Sequence, residues 1–134
     1  MMKYLLLYIA TVPVFFLIDL LWLGVVAKDF YRAQIGQLMA DQFVWWAAIL
    51  FYLFFILGIL FFAVVPALEA KIWTRALLLG SAFGFFTYMT YDLTNLATLR
   101  GWPITLVLVD IVWGTVLSAS VATASYFIGV KFLS

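Results

Sequence analysis

The chain contains no cysteine and no histidine. Their absence removes disulfides, thiol nucleophiles, every catalytic scheme built on imidazole, and zinc or haem ligation through either residue. Charge is scarce as well: only 10% of the 134 residues are Asp, Glu, Lys or Arg, seven basic against six acidic, with no run of like charge. Such a balance offers no electrostatic footprint for nucleic acid or for a strongly acidic partner. No segment alternates apolar and polar residues as a barrel strand would, and no glycine-rich phosphate loop is present.

What remains is apolar. Hydrophobic residues make up 69% of the chain, and the mean hydropathy is +1.22, far above the roughly half-apolar mix of soluble domains. A helix crosses the bilayer core in about 20 apolar residues. Four stretches meet that requirement, at about 4–27, 44–66, 74–97 and 103–129. The expectation is a single all-α domain over residues 1–134, a small antiparallel bundle of four transmembrane helices. The first stretch is too long for the apolar core of a signal peptide and carries Asp19, so it reads as a span. Between spans one and two, Tyr31, Ile35, Leu38 and Met39 recur at helical spacing beside Lys28, Arg32 and Gln34, which predicts a short interfacial helix over about 29–40. It serves as a connector packed on the bundle end or as a lid over a site beneath it. Span two, rich in Phe and Leu without a polar face, is expected to be the most lipid-exposed. Trp45, Trp46, Trp73 and Trp102 fall near span ends, as headgroup-level indoles do.

Lys3, Lys71, Arg75 and Lys131 flank one side of this arrangement, and Lys28, Arg32 and Arg100 the other. The excess favours both termini in the cytoplasm.

Three of the six acids do not belong in loops. Asp19, Asp92 and Asp110 lie inside spans, where a carboxylate costs about 2.5–3.5 kcal/mol at mid-helix. Counting residues to the nearest span end at about 1.5 Å each puts all three roughly 8–12 Å below the same membrane surface. Asp-x-x-Trp occurs twice, as Asp19 with Trp22 and Asp110 with Trp113, each pair on one helical face, and Tyr88 and Asn95 share the face of Asp92. Span four also sets Gly114, Ser118, Ala122, Ser125 and Gly129 at three- and four-residue spacing, matched by Gly80 and Gly84 on span three; small residues at that spacing let membrane helices approach closely. No basic side chain lies within a span, so three neighbouring carboxylates cannot all stay ionised: protons or a bound cation must make up the deficit.

The stretches DLLWLGVVAKDFYRAQIGQLMA, TYDLTNLATLRGWP and VDIVWGTVLSA together resemble the bacterial inner-membrane family known as domain of unknown function 2177. The resemblance spans nearly the whole chain and implies a small four-helix membrane protein, without supplying an activity or a substrate.

Three functions are open at this level. The first is binding or transport of a proton, a cation or a cationic amphiphile by Asp19, Asp92 and Asp110, with Trp22, Trp113, Tyr88 and Asn95 around them; transport by so small a chain calls for a homodimer. The second is an intramembrane enzyme acting on a lipid or isoprenoid through an Asp acid/base pair. The third is a structural subunit in which the aspartates only knit helices together. Lipid is the expected surroundings, nucleic acid is not an expected partner, and no cofactor is expected beyond an oxygen-ligated cation.

Overall fold

The computed structural model describes residues 1–133, and those residues form helices without a strand. Helix α1, Met2–Leu21, runs on through a π turn at Trp22–Val26. A short α2, Phe30–Ile35, and a 3-10 turn at Gly36–Leu38 follow. Helix α3, Trp45–Ile59, passes through a second π turn, Leu60–Val64, into α4, Val65–Ala70. Two long helices complete the chain, α5 at Trp73–Thr98 and α6 at Ile104–Phe132.

Local chemistry accounts for several of these boundaries. Pro66 has no N–H to offer the fourth carbonyl before it, and the wider π turn lies directly ahead of it. At the end of α4, Lys71 adopts the left-handed conformation, φ 59°, while Ile72 N–H reaches the Ala67 carbonyl at 3.2 Å. Gly101, at φ 71°, turns the chain between α5 and α6, and Pro103 caps α6.

Among the described residues, three rods are long and apolar enough to cross a membrane: Met2–Val26, Trp45–Ala70 and Ile104–Phe132. The second reaches beyond the expected 44–66 because the helix resumes after the π turn, so Glu69 sits on α4 and not in a loop. Helix α5 has the length, 26 residues, but Thr87, Thr90, Asp92, Thr94, Asn95 and Thr98 dilute its apolar content. Where a helix over about 29–40 was expected, the chain forms the shorter α2 and its 3-10 extension.

Helix α6 is the axis of the bundle. In its most apolar window 44% of residues are buried, against 28% for α3–α4 and 17% for α1. The expectation that the second span would be the most exposed is therefore corrected: α1 is more exposed than α3–α4, and α5 buries only Ala76, Gly80, Gly84 and Asp92. The Phe-rich sequence of α3–α4 hides a buried stripe, Ile56, Ile59, Leu60, Ala63, Val64 and Ala67, which joins Phe15, Leu117 and Val121 in the main core. The outward rows, such as Leu17, Phe54, Leu78 and Val112, are exposed, a surface suited to lipid and not to water.

The closest approach joins α5 to α6, and small residues make it possible. A Cβ built on Gly80 would stand 2.7 Å from the Ala122 Cβ and 2.8 Å from the Ser118 carbonyl oxygen, and one on Gly84 would strike the Gly114 carbonyl oxygen. Polar ties are few. Thr11 and Ser125 hydroxyls meet at 2.8 Å in the buried seam between α1 and α6, and Tyr8 donates to the Leu53 carbonyl of α3 at 2.8 Å.

Candidate functional site

At the end of the bundle where α1 finishes and α6 begins, the helices enclose a cavity of about 450 Å³. Nine of its thirteen lining residues are aromatic, the only charged ones are Asp19 and Asp110, and no basic side chain lines it. Glycine makes room for one wall: a Cβ on Gly114 would fall onto the Tyr88 ring, so the bare backbone of α6 seats the Tyr88 side chain of α5.

The two Asp-x-x-Trp motifs serve each other. Trp113, three residues after Asp110 on α6, donates its indole N–H to the Asp19 carboxylate of α1 at 3.3 Å. Trp22, three residues after Asp19, donates at 3.0 Å to the Tyr31 hydroxyl of α2, and that hydroxyl donates to Asp110 at 2.8 Å. The two indoles stack, ring centroids 4.4 Å apart and planes within 7°. Each carboxyl group is thus held by the tryptophan of the other motif, directly for Asp19 and through Tyr31 for Asp110. Spacing along one helix puts an Asp and its Trp on one face; the antiparallel arrangement of α1 and α6 then turns those faces toward one another.

Burial, reinforced by the neighbouring Asp110, pushes the Tyr31 hydroxyl well above its ordinary value, so it keeps its proton and remains a donor at neutral pH. Tyr52 of α3 lies beside Asp19, and Tyr52 and Tyr88 complete a phenolic wall.

Asp92 is placed differently. It is fully buried, whereas Asp19 and Asp110 retain 5% and 7% exposure, and it does not line the cavity. It lies beside Asp110 and Trp102, yet neither carboxyl oxygen meets hydrogen-bond geometry with a protein donor, and the Trp102 indole N–H is likewise unpartnered. Trp102, expected as a headgroup-level anchor, is instead 9% exposed and packs with Leu106 and Val107 against Phe30, Tyr31 and Ile35 of α2. Trp45, Trp46 and Trp73, by contrast, are exposed. Asn95, half-buried, interacts with Tyr91 and takes no part in the cavity.

Of the seven residues singled out in the sequence, five therefore share the cavity: Asp19, Asp110, Trp22, Trp113 and Tyr88. Asp92 stands behind Asp110, and Asn95 is apart. Among the described residues no three acidic side chains converge as a metal-ligating group. Sequence reasoning missed Tyr31 and Tyr52; the signal for Tyr31 was its place among the apolar positions, at helical spacing, of the segment between spans one and two, where a phenol packed on the bundle end can supply a hydroxyl.

The profile of the family described as predicted membrane protein (DUF2177) matches residues 4–127. The chain belongs to the DUF2177 family. The match takes in α1 from residue 4, α3, α4 and α5 whole, α6 as far as residue 127, and every residue lining the aromatic cavity of this DUF2177 protein. Neither the curated proteins nor the solved structures contain a match to it.

Proposed function

We propose that this DUF2177 protein is a four-span protein of the bacterial inner membrane that binds a small organic cation or cationic amphiphile in the aromatic cavity, with protons competing for the same carboxyl groups. The observation that carries the reading is one cavity holding Asp19 and Asp110, no basic residue, and nine aromatic side chains. Carboxylates supply charge, indole and phenol rings supply π faces, and a cation benefits from both where water is scarce.

The fourth span in this reading is α5. Its 26 residues extend about 39 Å at 1.5 Å per residue, and it is joined by residues 71–72 to one apolar rod and by residues 99–103 to another. Connections that short require it to traverse the thickness its neighbours traverse. Four spans put both termini on one face, and the basic flanks favour the cytoplasm; the cavity then lies in the outer half of the bilayer. Asp92 gives Asp110 a neighbouring carboxyl group that can hold a proton out of reach of the ligand, which is what coupling ligand exchange to protons requires. Transport would call for a homodimer, since one chain of four helices has little interior left for a pathway.

Binding of benzyltrimethylammonium to the purified protein in detergent provides the test. Saturable binding that Asp19→Asn and Asp110→Asn each weaken at least tenfold, in variants that remain folded, is the expected result. Equal binding by the wild type and both variants would remove the cation reading, and loss of folding in both would make the aspartates packing devices.

A further inference from the structure

A second cavity, about 560 Å³, lies at the opposite end of the bundle, between the start of α1, the α4–α5 turn and the end of α6. Its chemistry is the reverse of the first. Lys3 and Lys71 line it with the phenols Tyr4 and Tyr126, one carboxylate, Glu69, also faces it, and Leu7 and Leu68 are among its apolar lining. The Lys3 ammonium stands 5.3 Å from the centre of the Tyr4 ring.

Lys71 is the informative residue. It occupies the left-handed position that ends α4, at φ 59° and ψ 36°, with Lys71 N–H bonded to the Leu68 carbonyl and Ile72 N–H to the Ala67 carbonyl, both at 3.2 Å. This is the helix-ending turn in which glycine is the usual occupant, because a side chain there is strained. Lysine in that position works against stability. The same backbone conformation places it on the cavity beside Lys3.

We propose that this cavity binds the phosphate of an anionic phospholipid headgroup, held by the Lys3 and Lys71 ammonium groups and the Tyr4 and Tyr126 hydroxyls, with the first carbons of the lipid against Leu7 and Leu68. The site lies at the ends of the spanning rods, the level at which headgroups sit. Lysine acts toward phosphate as a compact point charge with several donors, and basic cavities between membrane helices are suited to anionic headgroups. Glu69 offsets one of the two positive charges and so restrains affinity. The proposal is independent of the cation cavity, which lies at the other end of α1 and α6.

The experiment is native mass spectrometry of the full chain released from detergent containing equal phosphatidylglycerol and phosphatidylcholine, with Lys71→Gly, Lys71→Arg and Lys3→Gln alongside the wild type. The expected result is a preference for phosphatidylglycerol that falls about fivefold in Lys71→Gly and in Lys3→Gln and survives in Lys71→Arg. Lys71→Gly also suits the left-handed turn, so it should unfold no earlier than the wild type; a loss of lipid preference in that variant is then a loss of charge and not of fold. An undiminished preference in Lys71→Gly would overturn the proposal. Glycerol phosphate added to the same sample separates the sources: failure to displace the lipid supports a membrane ligand, whereas displacement at equal concentration overturns the lipid assignment in favour of a soluble phosphate ester.

Discussion

Replacing Tyr31 with phenylalanine removes one oxygen atom and with it two hydrogen bonds, because that hydroxyl accepts from Trp22 and donates to Asp110. The ring packing against Phe30 and the Trp102 cluster is kept. A net hydrogen bond contributes about 0.5–1.5 kcal/mol, and a buried donor left without a partner costs about 1–3 kcal/mol. Both bonds are partly buried, so the lower halves of those ranges apply, and Tyr31→Phe should destabilise the protein by about 1–3 kcal/mol. Trp22→Phe removes only the first bond and leaves a hydroxyl that still donates to Asp110. In the double variant the stranded indole N–H is gone, so its cost should fall short of the sum of the two single costs by about 0.5–1.5 kcal/mol. Reversible unfolding of all four proteins in mixed micelles, followed by circular dichroism, measures the cycle. Strict additivity would refute the claim that Tyr31 links the two Asp-x-x-Trp motifs.

Other expectations follow from the same geometry. Gly84→Ala places a methyl group on the Gly114 carbonyl and should cost about 1–3 kcal/mol by forcing α5 and α6 apart; micelle unfolding at wild-type denaturant concentration would count against the close-packed seam. Asp92→Leu removes a fully buried carboxyl group without hydrogen-bond partners and should leave stability unchanged or raise it by about 1–3 kcal/mol, while a marked loss of stability would mean that Asp92 is a packing device. Gly114→Ala should push the Tyr88 ring out of its seat and weaken ligand binding more than it weakens folding, as comparison of the binding isotherm with the unfolding curve would reveal.

Much of the scaffold was legible because membrane insertion imposes a simple rule of length and hydropathy. The three most apolar rods were found to within a few residues, with Ala70 and not Pro66 ending the second because a π turn accommodates the proline. The small-residue stripe was legible too, since Gly80 and Gly84 face Ser118 and Ala122 at the spacing their sequence positions suggest. What a sequence does not contain is the rotation of one helix against another. Residue spacing groups Asp19 with Trp22, but only the packing of α1 against α6 puts Trp113 on Asp19. The same gap hid the inner face of α3: span two as a whole read as lipid-exposed, yet its Phe51 and Phe55 line the cavity. Trp102 read as an interfacial anchor because proximity to a span end says nothing about what α2 covers.

The central claim is that Asp19 and Asp110 form a charge-bearing aromatic site for a cation. Its most direct measurement compares benzyltrimethylammonium with its neutral isostere, neopentylbenzene, by titration calorimetry on the wild type and on Asp19→Asn/Asp110→Asn. The account predicts that the wild type binds the cation and discriminates strongly against the neutral molecule, and that the double variant loses this discrimination. Equal affinity of the wild type for both molecules would contradict it.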